Sequence, residues 1–72
     1  MFKAVPQITN TIRKCRFDNS EMTQEELASK VGVTRQTIIA LEAGKYLPSL
    51  LLALRIARVF HSTVEEIFII GD

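Results

Sequence analysis

No disulfide can form within this chain, because Cys15 is its only cysteine. A lone thiol pairs only with another molecule, and a free cysteine on a helix behaves as a small hydrophobe, which is the reading taken for Cys15. His61 is the only histidine, so no metal-ligand cluster and no histidine-activated nucleophile can be assembled around it. The sequence also lacks a glycine-rich phosphate loop and any pair of carboxylates in a recognisable pocket arrangement. These absences argue against an enzyme and leave no catalytic residue, no metal and no cofactor to name. No apolar run is long enough to cross a bilayer, and no basic-then-apolar leader precedes the first motif. A soluble, cytoplasmic protein without a membrane partner or an evident small-molecule ligand is therefore expected.

Glycine and proline are scarce, at three and two residues, and outside the last residues no alternating apolar pattern runs for long. Apolar residues recur instead at three- and four-residue intervals, the period of helices buried on one side. With 72 residues and 47% apolar composition, the expected fold is all-α, one compact domain over residues 1–72 with a modest core. Net charge is only +1, so an anionic partner would have to be recognised through the placement of charge rather than its total. Lys3, Arg13, Lys14 and Arg16 precede Met22 against Asp18 and Glu21, whereas Glu65, Glu66 and Asp72 outnumber Arg55 and Arg58 after Pro48.

In chain order, residues 1–7 are mostly apolar, and Pro6 either breaks an extended arm or occupies the first turn of a helix. A helix beginning between Pro6 and Asn10 and ending near Asn19 would place Ile8, Ile12 and Cys15 on one stripe. Phe17 falls off it. Thr23 with Glu26 three residues on forms a capping box, after which Leu27, Ala28 and Val31 make a buried face that Gly32 terminates. Thr34 caps the next helix and Gly44 closes it. Stepping 100° per residue, Thr34, Ile38 and Leu41 face inward behind Val33, which leaves Arg35, Gln36, Ile39, Ala40 and Ala43 on the outside.

That outward face has no acid. Its first turn carries donors that can bond base edges: arginine to guanine O6 and N7, glutamine to adenine, with Ile39 or Ala40 meeting a thymine methyl. Simple solvation would account for Arg35 or Gln36 alone, but an exposed β-branched residue beside them asks for an apolar partner. Glu42 opposes the dipole at the C-terminal end of the same helix and needs a basic partner, for which Arg16 is the candidate.

Residues 22–60, MTQEELASKVGVTRQTIIALEAGKYLPSLLLALRIARVF, resemble the helix-turn-helix domain of the phage-repressor and Cro superfamily. The likeness extends over roughly residues 10–68 and is carried by TQEELA, VGV, RQTI and E-x-GKY-x-PSL in succession. It implies a compact five-helix bundle with the motif at residues 23–44. It further implies base contacts from Arg35, Gln36, Thr37 and Ala40, with Ile39 beside them, and phosphate contacts from Gln24, Thr34, Lys45 and Tyr46. A salt bridge between Arg16 and Glu42 follows from the same resemblance. Two positions depart from the pattern: Leu51 stands where relatives carry an acid, and His61 where they carry a helix-ending glycine.

Ser49 caps a fourth helix whose expected core face is Leu50, Ala53, Leu54, Ala57 and Phe60, with Arg55 and Arg58 outward. Thr63 and Glu66 form a second capping box for a last helix from Val64 to about Phe68. Leu52, Ile56 and Val59, together with Phe68, Ile69 and Ile70 in the apolar tail of residues 69–72, are left over and read as a homodimer interface. Such a dimer would bind a double-stranded DNA operator of two inverted half-sites, roughly 34 Å apart per helical turn. The leading function is thus a sequence-specific transcriptional regulator, with repression favoured. The alternative is a protein-interaction module, such as an antitoxin or a regulator's partner, that keeps the helix-turn-helix shape.

Overall fold

Two short strands, one before the first helix and one after the last, lie side by side. The structure, a computed structural model, describes residues 7–71; the arm expected at residues 1–7 lies, up to residue 6, outside the described residues, as does residue 72. The order is β1 (Gln7–Asn10), α1 (Ile12–Asp18), α2 (Gln24–Val31), α3 (Arg35–Glu42), α4 (Leu50–Val59), α5 (Val64–Ile67) and β2 (Phe68–Gly71). β1 and β2 are antiparallel, with Gln7 opposite Gly71, Ile8 opposite Ile70, Thr9 opposite Ile69 and Asn10 opposite Phe68. The five expected helices are present, but the all-α assignment is corrected by this sheet.

The reason it escapes a local reading is that its two halves are distant in sequence. The spacing of Ile8, Ile12 and Cys15 suits a helix, yet Ile8 belongs to β1 and only Ile12 and Cys15 lie on α1. Asn10 marks the change from strand to helix: its Oδ1 accepts from the Ile12 N–H at 3.3 Å while its Nδ2 donates to the Leu41 carbonyl at 2.9 Å. The Thr11 N–H donates to the Ile67 carbonyl at 2.9 Å. The segment that joins β1 to α1 is thereby tied to the C-terminal ends of α3 and α5 through carbonyls of their last turns.

The helix ends follow their local chemistry. Thr23 and Thr63 each complete a capping box, with Glu26 and Glu66 respectively, and Thr34 and Ser49 accept from the N–H three residues on. Gly32 takes a left-handed φ of 78°, and Val33 then donates back to Ala28. His61 adopts the same region at φ 52°, with its N–H on Arg58 and that of Ser62 on Ala57, so a histidine performs the turn that glycine usually makes.

Ile12, Leu27, Val31, Ile38, Leu41, Ile56 and Ile67 are fully buried and form the centre of the core. Helix α4 presents Leu52, Ala53, Ile56, Ala57 and Phe60 to it, a stripe rotated from the expected one. Ala53, Ala57 and Phe60 are shared between the two stripes, but Leu50 and Leu54 are 73% and 51% exposed. The cause is compositional: a helix apolar almost all round offers no polar face to fix its rotation, and only its neighbours decide. Leu52 and Ile56 are therefore core residues and do not belong to a dimer interface. Val59 and Phe68 are half-buried and pack against the same core, while Ile69 and Ile70 are exposed on β2. Cys15 is half-buried against the core as well.

Truncation distinguishes the two stripes. Ile56→Ala should lower the unfolding free energy by about 2–5 kcal/mol through a cavity. Leu54→Ala should change it by no more than about 0.5 kcal/mol. Urea denaturation reads both, and equal losses would mean that α4 is rotated from the placement described.

Candidate nucleic-acid interface

The outward face of α3 is defined by what its inward face does. Ile38 and Leu41 are locked in the core, so the residues between and before them are turned to solvent by the 3.6-residue period. Arg35 and Gln36 are exposed in the first turn, Ile39 is 40% exposed one turn on, and Thr37 and Ala40 are half-buried at its edges. No acid stands in that turn. By contrast α2 begins with Glu25 and Glu26, which complement its own dipole.

Thr34 caps α3 from an exposed position rather than the inward one expected of it; its Oγ1 accepts from the Thr37 N–H at 3.3 Å and lies 3.2 Å from the Thr37 hydroxyl. Thr37 is thus held by the cap as well as by the helix. At the start of α2 the Thr23 backbone N–H, and then its hydroxyl, hold the Glu26 carboxyl below the usual carboxylate range. The Thr63 groups do the same to Glu66 in α5.

Glu42 is where three helices meet. Arg16 of α1 donates from Nε to Glu42 Oε2 at 2.7 Å and from Nη2 to Oε1 at 3.0 Å, a two-point pairing. A third donor, Nη1, reaches the Met22 carbonyl at 2.9 Å and fixes the entry to α2. Gln24 of α2 adds its Nε2 to Glu42 Oε1 at 3.2 Å, a bond that the expected role of Gln24 as a phosphate ligand does not include. A glutamine has two amide hydrogens and a carbonyl oxygen, so the bond to Glu42 aims the side chain while leaving further hydrogen-bonding capacity. The sequence signal for it is faint: a long amide at the first position of a helix packed beside one that ends in a carboxylate.

Beyond Glu42, Ala43 caps α3 and Gly44 turns left-handed at φ 74°. Gly44 donates to Leu41, and the Lys45 N–H donates to Ala40 at 2.9 Å. The Lys45 backbone is therefore committed to closing the helix, and it is the side chain of Lys45 that remains for a partner. Tyr46 is 43% exposed beside it. Arg35, Gln36 and Ile39 are thus presented to solvent from α3, and Lys45 and Tyr46 from the turn that follows it, with Gln24 and Thr34 at the helix starts. Arg13 and Phe17, on α1, border the same region, although no motif in the sequence marks them for it.

The clamp on Glu42 makes a stability prediction. Its side chain and that of Arg16 are only 11% and 12% exposed, so Glu42→Ala strands a largely desolvated guanidinium and should cost about 2–3 kcal/mol in urea denaturation. Gln24→Ala should cost about 1 kcal/mol, the net worth of one hydrogen bond. A Glu42→Ala loss no larger than that of Gln24→Ala would contradict the clamp.

Among the described residues no helix is long and apolar enough to cross a membrane. A family model described as helix-turn-helix matches residues 12–67, from the first residue of α1 to the last of α5. An uncharacterized HTH-type transcriptional regulator of Archaeoglobus fulgidus is 65% identical over 51 residues, covering 71% of this chain and 73% of the relative. A protein of the same description from Methanothermobacter thermautotrophicus is 64% identical over 52 residues, covering 71% and 75%. The uncharacterized HTH-type transcriptional regulator YgzD of Bacillus subtilis is 54% identical over 55 residues, covering 76% and 79%. With the model match spanning more than half of its length, the chain belongs to the helix-turn-helix family of the phage-repressor and Cro type.

Proposed function

We propose that the chain is a sequence-specific DNA-binding transcriptional regulator, a repressor in the cytoplasm, that reads the major groove of double-stranded DNA with α3. The observation that carries this reading is the split of α3 into a buried face and an acid-free exposed first turn, with Arg35 and Gln36 projecting from a helix that cannot rotate. Relatives described as transcriptional regulators support it.

In this reading Arg35 and Gln36 bond base edges, Ile39 and Ala40 meet apolar edges, and Thr37 flanks them. Gln24, Thr34, Lys45 and Tyr46 hold phosphates on either side, and these contacts fix register without reading sequence. One α3 reads only half of an inverted repeat, so the active form is a homodimer. With Leu52 and Ile56 in the core, the apolar side chains open to a second copy are Leu47, Leu50, Leu51 and Leu54 around the start of α4, and Ile69 and Ile70 on β2. Exposed leucines in such number favour an interface over solvent. They also keep the second reading, a protein-interaction module, in contention.

Substitutions separate reading from positioning. Gln36→Ala should cost roughly 1–3 kcal/mol at its own base pair and relax preference there, whereas Lys45→Ala should weaken all duplexes alike and lower the salt slope by about one. Fluorescence anisotropy across a set of single-base operator variants measures both. Identical losses on every sequence would contradict the assigned roles, and a parent protein that binds no duplex while capturing a protein partner would favour the second reading.

A further inference from the structure

The turn between α1 and α2 overhangs an open recess of about 570 Å³ beside the start of α3. Arg13 and Phe17 of α1, Gln24 of α2 and Arg35, the first residue of α3, are among the residues that line it. Phe17 is 54% exposed, an aromatic that the core does not use. Its ring lies 5.8 Å from the Arg13 guanidinium carbon. The two residues are four apart on α1, the spacing that stacks side chains on one helix face. A guanidinium seated on an aromatic face keeps its edge donors free while its rotamers are restricted, which suits it to meet a planar or anionic group at low entropic cost.

Neither Arg13 nor Arg35 is neutralised: among the described residues the one salt bridge is that of Arg16 with Glu42. Two unpaired guanidiniums from different elements therefore face one recess. Glu21 and Glu25 also line it, and Glu21 is held there by a left-handed backbone at φ 53°. These two carboxylates offset the two unpaired guanidiniums, so the recess suits one anionic group rather than a run of phosphates, and with Arg35 assigned to base edges Arg13 beside Phe17 is the cation left for it. We propose that Arg13, steadied by Phe17, contacts one backbone phosphate of the DNA on the α2 side of the half-site, a positioning contact supplied by α1 outside the helix-turn-helix motif. The inference rests on α3 reading DNA: a duplex whose base edges meet Arg35 brings its own backbone over the recess that Arg35 borders.

The test is the salt dependence of binding to a duplex that the parent protein recognises, between about 50 and 200 mM salt. Arg13→Gln should lower the slope of log affinity against log salt by about 0.9, as expected when one fewer phosphate is neutralised. Arg13→Lys keeps the charge and should restore the slope while binding several-fold more weakly, because an ammonium lacks the stacked, forked geometry. Lys14→Gln removes a neighbouring exposed charge that does not line this recess and should leave the slope at the parent value. Matching thermal melts exclude unfolding, since Arg13 is exposed. A parent-like slope in Arg13→Gln, or an equal drop in Lys14→Gln, would overturn this inference while leaving the DNA reading intact. Failure of the parent to bind any duplex would overturn both.

Discussion

A carboxylate at the C-terminal end of a helix is placed against the helix dipole, and the orientation of the whole motif depends on how that of Glu42 is relieved. Arg16 from α1 supplies two donors to it and Gln24 from α2 a third. The same guanidinium bonds the Met22 carbonyl, so one side chain secures both the end of α3 and the approach to α2. The magnitudes assign different tasks to this clamp and to the core. Burial of Ile38 and Leu41, worth about 1.5–3 kcal/mol each, keeps α3 on the protein. The clamp gains less net energy because its charges are partly desolvated, but its geometry is directional and fixes where the exposed first turn points.

Helix length is controlled as tightly as helix direction. Gly32 stops α2 and Gly44 stops α3 by turning left-handed, so each is eight residues long. Had α3 continued, Lys45 and Tyr46 would project from its flank; instead the Lys45 N–H closes the helix on Ala40 and the side chain leaves from the turn. The short elements expose little backbone, and their terminal groups are met by Thr23, Thr34, Ser49 and Thr63. A chain this small thereby presents a rigid face without a large core.

How much of the fold and the interface is legible in the residues alone follows from how local each signal is. The capping threonines and the glycine stops announce themselves within four or five positions, and the helix boundaries of α2 and α3 are legible for that reason, whereas the left-handed turn at His61 is legible only against the glycine that relatives carry there. The division of α3 into Ile38 and Leu41 inside and Arg35 and Gln36 outside is legible from its period. The β1–β2 pairing is not, since Ile8 finds Ile70 across nearly the whole chain. The rotation of α4 is not either, because Leu50, Leu51, Leu52 and Leu54 are equivalent until neighbours select among them. Phe17 falls off the apolar stripe of α1 because it stands five residues on from Ile12, on the face that also carries Arg13.

Selecting bound sites from random duplex DNA shows whether α3, held by this clamp, reads base edges and whether two copies act together. The expected result is enrichment of two inverted half-sites whose centres lie about 10 base pairs, or a multiple of one helical turn, apart. Enrichment of no sequence, or of one unpaired half-site, would contradict it.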